Sequence, residues 1–149
     1  MYGFQLYDII SRDERTLKMF KGIHSLQSLT SLKQIENGCY IVNTTKYGEV
    51  GHWLVLFVGK DCNEVFDSLA RDIREYSELY QFLIARGGDL KYSCKVVQDS
   101  KSRLCGLFCI VYIYFKGRGY SMKNILHFFS HSVEKNDMIV ISFINNYLN

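Results

Sequence analysis

The chain has 149 residues, 48% of them hydrophobic and 22% charged, with a formal net charge of +3 at pH 7. That length suits one compact domain, and so much apolar content excludes a disordered chain. The charge is mild and no run of five like charges occurs, which excludes a basic tail built for nucleic acid. The aromatic share of 15%, with 11 Tyr and 10 Phe, furnishes a core large enough to hold a site rigidly. Each buried ring removes roughly 150–250 Å² from water.

Residues 1–38 read as an irregular or partly helical lead-in, interrupted by Gly22 and Gly38. Residues 39–44 (CYIVNT) form a short β-branched run ending in turn residues, which predicts a strand. Residues 53–58 (WLVLFV) are continuously apolar, as in a strand buried on both faces. Residues 64–67 (EVFD) predict a third strand beside it.

Residues 71–86 place Ile73, Tyr76, Leu79, Tyr80, Leu83 and Ile84 at helical spacing, and Gly87-Gly88 stops that helix. Residues 91–98 (KYSCKVVQ) predict a fourth strand, and 99–103 a polar loop. The apolar run from Leu104 predicts a buried helix to about Lys116, ended by Gly117–Gly119. Ser121 is placed to cap a further helix to about Ser130, with Met122, Ile125 and Leu126 on one face. Residues 132–148 predict a last helix, although Ile139-Val140-Ile141 would suit a strand equally well. The sum is an α+β domain, a small central sheet with helices and the most apolar helix against it.

Cysteines stand at 39, 62, 94, 105 and 109, an odd number without a Cys-x-x-Cys. The amino-terminal residues MYGFQLYDII lack the basic region and long apolar core of a signal peptide. Free thiols in a reducing, intracellular setting are expected. The histidines at 24, 52, 127 and 131 do not fall at zinc-ligand spacings with the cysteines, so no metal is expected. The apolar run 104–115 is too short to span a bilayer, so no membrane association is expected.

Three residues fall at predicted element boundaries, where a rigid scaffold displays side chains. His52 precedes the strand WLVLFV, Asp67 closes EVFD, and Cys105 starts the buried helix. A free thiol has a pKa of about 8.5, and a helix amino terminus favours its ionised form. An imidazole beside it completes the activation, and a carboxylate on the other ring nitrogen fixes tautomer and orientation. Gln98 ends the segment before the Cys105 helix, placed to supply an oxyanion donor beside the Cys105 N–H. Gly106 leaves room for a substrate backbone beside the thiol.

The strings CYIVNT, GHW, VFDS and VQDSKSRLCGLFCIVYIYF resemble the adenain family, the maturation cysteine proteases of adenoviruses. They are most similar to its smaller members in Polinton/Maverick elements, virophages and other large DNA viruses. The segment FKGIHSLQSL (20–29) also resembles the family's lead-in, so the resemblance runs with gaps from about Phe20 to Phe115. It implies one papain-like protease domain over 1–149, in circularly permuted order. His52 matches the general base, Trp53 its aromatic neighbour, Asp67 the orienting acid (Glu in adenoviral members), Gln98 the oxyanion-hole glutamine and Cys105 the nucleophile.

The implied activity is cleavage of viral capsid or core precursors, near glycine-containing sites, through a Cys105 thioester. A monomer is expected, working in the infected cell's cytoplasm or nucleus and packaged in the virion. No cofactor is implied for the chemistry. Adenoviral members are stimulated by a disulfide-linked viral peptide and by DNA; Cys94 does not match the peptide-linking position, which puts both activators in doubt. The alternatives are a processing peptidase for a ubiquitin-like protein and a silent binding module of the same fold.

Other residues take plainer readings. Cys109 is core packing one turn below Cys105, and Cys39, Cys62 and Cys94 are free thiols in or near strands. His24, His127 and His131 have structural or surface roles. Lys116, Arg118 and Lys123 form a solvated helix end, with weak DNA binding as the alternative.

Overall fold

A computed structural model describes residues 2–44 and 51–149. Helices α1 (Gly3–Ile10) and α2 (Glu14–Met19) lead into strand β1 (Phe20–Ser25), helix α3 (Leu26–Thr30) and strand β2 (Gly38–Asn43). Strands β3 (Trp53–Val58) and β4 (Cys62–Phe66) follow, then a 3-10 turn (Ile73–Glu75), helix α4 (Ser77–Arg86) and strand β5 (Asp89–Tyr92). Helices α5 (Cys105–Lys116) and α6 (Met122–Phe128), a second 3-10 turn (Val133–Lys135) and α7 (Asn136–Tyr147) complete the described elements.

The strands form one mixed sheet in the order β1-β2-β3-β4-β5. The outer pairs β1–β2 and β4–β5 are parallel, and the inner pairs are antiparallel. Central β3 alternates between two cores. Leu54, Leu56 and Val58 face one with α3 and α4, while Trp53 and Val55 face the other. The second core is built around α5, where Phe108 and Tyr112 are fully buried and Phe66 stacks on Tyr112 at 4.5 Å between centroids. Burial on both sheet faces explains the unbroken apolar run of β3, as read from the sequence.

The lead-in is more ordered than expected. It holds α1, α2, α3 and β1, none of them longer than eight residues, so a period of 3.6 barely repeats. Gly22 is not a breaker: it has φ +149° and sits where the β1–β2 register shifts, a bulge within β1. Gly87, with φ +81°, does end α4 as expected.

Four other boundaries differ from expectation. The third strand starts earlier, at Cys62, and Asp67 lies one residue past its end. Helix α4 starts at Ser77 instead of Arg71, because Tyr76 leaves helical geometry and turns its hydroxyl to Asp67. Strand β5 covers only Asp89–Tyr92, so Gln98 is not on a strand. Residues 93–98 are held by side chains and the 67–68 turn: Val97 and Gln98 N–H both donate to the Ser68 carbonyl, at 2.9 and 3.0 Å. The last helix starts at Asn136, and its Ile139–Ile141 stretch is helical because Val140, Phe143 and Ile144 pack on the α5 core.

Candidate active site

His52 stands one residue before β3 and Asp67 one residue after β4, so the antiparallel pairing of these strands brings the two side chains to the same end of the sheet. His52 Nε2 donates to Asp67 Oδ1 at 2.6 Å. Asp67 is saturated by its surroundings. Oδ1 also accepts the Leu69 N–H at 2.9 Å, and Oδ2 accepts the Tyr76 hydroxyl at 2.8 Å and the Arg71 N–H at 3.3 Å. Its own N–H donates to Ser93 Oγ at 2.9 Å, whose hydroxyl returns to the Asp67 carbonyl at 3.0 Å. Thus Asp67 both closes a turn and orients the histidine.

Cys105 is the first residue of α5 and lines the same groove as His52, near enough for each to favour the charged form of the other. With Nε2 committed to Asp67, Nδ1 is the ring nitrogen left for the sulfur. The backbone N–H groups of Trp53 and Gly106 also favour the ionised sulfur. Burial alone would push the thiol up, but the His52 hydrogen bond, those two N–H groups and the imidazolium charge outweigh it and bring its pKa below the ordinary value. Burial likewise disfavours the imidazolium, yet hydrogen bonds to Asp67 and Cys105 lift His52 to about 9. For Asp67, burial is opposed by His52, Tyr76 and the Leu69 N–H, which keep its carboxyl below the usual range. All three shifts favour a thiolate–imidazolium pair beside a carboxylate, which titrates as a unit.

Gln98 is 2% exposed and reaches the same groove. Its Nε2 donates to the Ser102 carbonyl at 3.0 Å, and its Oε1 accepts the Ser68 hydroxyl at 2.5 Å. A carbonyl only accepts, so Nε2 must face Ser102, and one of its two N–H bonds remains for a ligand. The Cys105 N–H is at the first position of α5 and has no intrahelical acceptor. The groove encloses about 990 Å³ and is lined by His52, Trp53, Gln98 and Cys105, with Arg71 and Arg103 beside them. Gly106 does not line it; it is buried in the first turn of α5.

The remaining expectations divide. Cys109 is buried, and burial pushes its thiol well above the ordinary value, as a packing residue requires. Cys39 is buried in β2, Cys62 is half-buried at the start of β4, and Cys94 is exposed beyond the end of β5. Lys116 and Arg118 are not a solvated helix end. Lys116 pairs with Glu64 at 3.2 Å, and Arg118 grips Asp13 through both terminal nitrogens at 2.9 and 2.8 Å. These cations are committed to carboxylates, leaving Lys123 as the exposed member of that set. Among the described residues no three His, Cys, Asp or Glu side chains gather as metal ligands would, and no helix is long and apolar enough to cross a membrane.

Tyr76, Ser68 and Ser93 support the site and were missed in the sequence, where each reads as an ordinary helix, turn or strand residue. Only their contacts with Asp67 and Gln98 distinguish them.

This mixed sheet packed on a helix that begins with the cysteine is the papain-like cysteine protease fold. The chain is similar to the pS273R protease of ASFV in two structures. In one the TM-score is 0.59 at 16% identity, covering 100% of this chain and 68% of that one. In the other it is 0.57 at 12% identity, covering 89% and 61%. A structure of AvrA delL154 with IP6 and CoA matches with a TM-score of 0.52 at 14% identity, covering 89% of this chain and 53% of that one. No family model and no curated protein matches the sequence.

Proposed function

We propose that the chain is a cysteine endopeptidase that uses Cys105 as nucleophile, His52 as acid and base, Asp67 as orienter and Gln98 as oxyanion donor. The observation that carries this reading is the 2.6 Å bond from His52 to Asp67 beside a groove that His52 and Cys105 both line. In the proposed reaction the Cys105 thiolate attacks a peptide carbonyl and the S–C bond forms. The carbonyl π pair moves to oxygen, which the Gln98 Nε2–H and the Cys105 N–H receive. His52 Nδ1–H then protonates the leaving amine as the C–N bond breaks, leaving a thioester. Neutral His52 next takes a proton from water, and the hydroxide forms a C–O bond to the thioester carbon. The C–S bond breaks, releasing the acid product and restoring thiolate and imidazolium.

The proposed substrates are viral capsid or core precursors cut near glycine, as the adenain resemblance implies. The likeness to a protease of ASFV supports a viral setting. Processing of a ubiquitin-like protein uses the same chemistry and is the competing assignment. A peptide library containing glycine at successive positions, together with candidate precursors and glycine-ended ubiquitin-like tails, separates the two. Cleavage by the wild type and none by Cys105→Ala is the expected result. Equal cleavage by both proteins would count against Cys105 as nucleophile, and cleavage by neither would favour a silent binding module.

A further inference from the structure

The first turn of α7 supplies nothing to the triad, yet it grips both ends of the segment that bears the oxyanion donors. Asn136 is fully buried, and its Nδ2 donates to the Val97 carbonyl at 2.8 Å, next to Gln98. It also closes on residue 130: Nδ2 donates to the Ser130 carbonyl at 2.9 Å, and Oδ1 accepts the Ser130 N–H at 2.8 Å. The following residue, Asp137, accepts the Ser102 hydroxyl on Oδ1 at 2.7 Å. That serine is the junction. Its Oγ accepts the Leu104 N–H at 3.1 Å, and its carbonyl accepts Gln98 Nε2 at 3.0 Å.

Hydrogen-bond bookkeeping makes the arrangement directional. A hydroxyl has one proton, and here Oγ is already an acceptor for Leu104, so the proton has to be given elsewhere. The Asp137 carboxylate takes it, in a charge-assisted bond stronger than a neutral one. Ser102 is thereby fixed in rotation, and with it the carbonyl that orients the Gln98 amide. Leu104 immediately precedes the nucleophile, so the same serine also restrains the start of α5. The Asp99 turn also holds the loop, through the Ser102 and Lys101 N–H groups at 2.9 and 3.0 Å.

We propose that Asp137 is a positioning residue for the candidate site: through Ser102 it holds the Gln98 amide and the Cys105 N–H at the spacing an oxyanion requires. This rests on the peptidase reading. It extends the site to α7, whose Asp137 reaches the groove-lining Ser102. Misplacing such a donor by about 1 Å can cost up to about 10² in rate, so a modest loosening is measurable.

Two probes separate positioning from mere stability. Iodoacetamide alkylates the Cys105 thiolate and needs no oxyanion hole. A glycine-ended peptide aldehyde forms a thiohemiacetal, in which the S–C bond forms and the carbonyl oxygen must be received by the two donors. Asp137→Ala and Ser102→Ala are each expected to weaken aldehyde binding about tenfold while the iodoacetamide rate stays within about twofold. Asp137→Asn keeps an acceptor oxygen and is expected to recover most of the affinity. The double variant Ser102→Ala with Asp137→Ala is expected to lose no more than either single one, because both cut the same link. Unchanged aldehyde affinity in both single variants would overturn the proposal. So would parallel losses of aldehyde binding, alkylation and melting temperature, which would mark a purely structural contact. If the wild type itself alkylates but takes up no aldehyde, the peptidase reading falls and this inference falls with it.

Discussion

Two carboxylates lie close together along the chain, Glu64 within β4 and Asp67 just beyond it, and each receives a tyrosine hydroxyl and a basic group. Glu64 takes Tyr112 at 2.7 Å and Lys116 at 3.2 Å. Asp67 takes Tyr76 at 2.8 Å and His52 at 2.6 Å. Both ion pairs are nearly closed to solvent, with side-chain exposures of 10% and 9% in the first and 12% and 3% in the second. The difference is what the base does with its other side. Lys116 lies over the Phe57 ring at 4.1 Å, so its remaining surface is spent on packing. His52 turns its second nitrogen to Cys105 and a groove. An imidazole also changes charge near neutral pH, as an ammonium does not. Pairing alone therefore does not mark a site; a titratable partner whose second face meets a thiol and a groove does.

The sharpest break of this comparison is expected in thiol reactivity. In His52→Ala the Cys105 pKa should return towards about 8.5, so alkylation at pH 6 should slow by about 100-fold. The wild type should keep reacting there, because its thiol ionises below the ordinary value and His52 stays protonated up to about 9. Lys116→Met should leave that rate unchanged. Equal alkylation at pH 6 in wild type and His52→Ala would remove the distinction.

The second difference is expected in stability. Lys116→Met leaves the Glu64 charge buried without its cation, and should cost about 3–5 kcal/mol in urea unfolding. Replacing both partners, with Glu64→Leu added, should recover much of that loss, whereas no second substitution recovers the reactivity lost in His52→Ala. The smallest effect is expected for Tyr76→Phe, about 1.5–3 kcal/mol for one hydrogen bond to a carboxylate. The sign with pH follows from the lowered pKa of Asp67: its contribution is full above 3.8 and is lost as pH falls through the folded value. Tyr76→Phe removes one cause of that lowering, so its acid unfolding midpoint should move to higher pH. An unchanged midpoint would show that Tyr76 does not hold Asp67.

Much of this was legible in the residues because it is local. The apolar run of β3 and the Gly87 stop of α4 follow from side-chain burial and backbone freedom at single positions. So does α6, where the Ser121 hydroxyl caps the helix by accepting the Asn124 N–H. The positions of His52, Asp67 and Cys105 at element boundaries were readable for the same reason, and the resemblance of GHW, VFDS and LCGLF to adenain strings joined them into one expectation. The short lead-in elements were not legible, since five- to eight-residue helices hardly complete a period and the β1 bulge glycine imitates a break. Neither was the end of β5, where Val97 and Gln98 turn their N–H groups to the Ser68 carbonyl without changing the alternating pattern.

The sequence by itself determined which groups are available: one thiol at the start of an apolar helix, an imidazole and a carboxyl at strand ends, and a glutamine before a polar loop. Tertiary structure decided which of them work together. Nothing in the chain shows that Tyr76 leaves its helix for Asp67, that Lys116 is committed to Glu64, or that Asp137 reaches Ser102 across 35 positions. Those choices depend on which sheet face and helix end meet once the core closes, and hydrogen bonds between distant residues have no period to be read from.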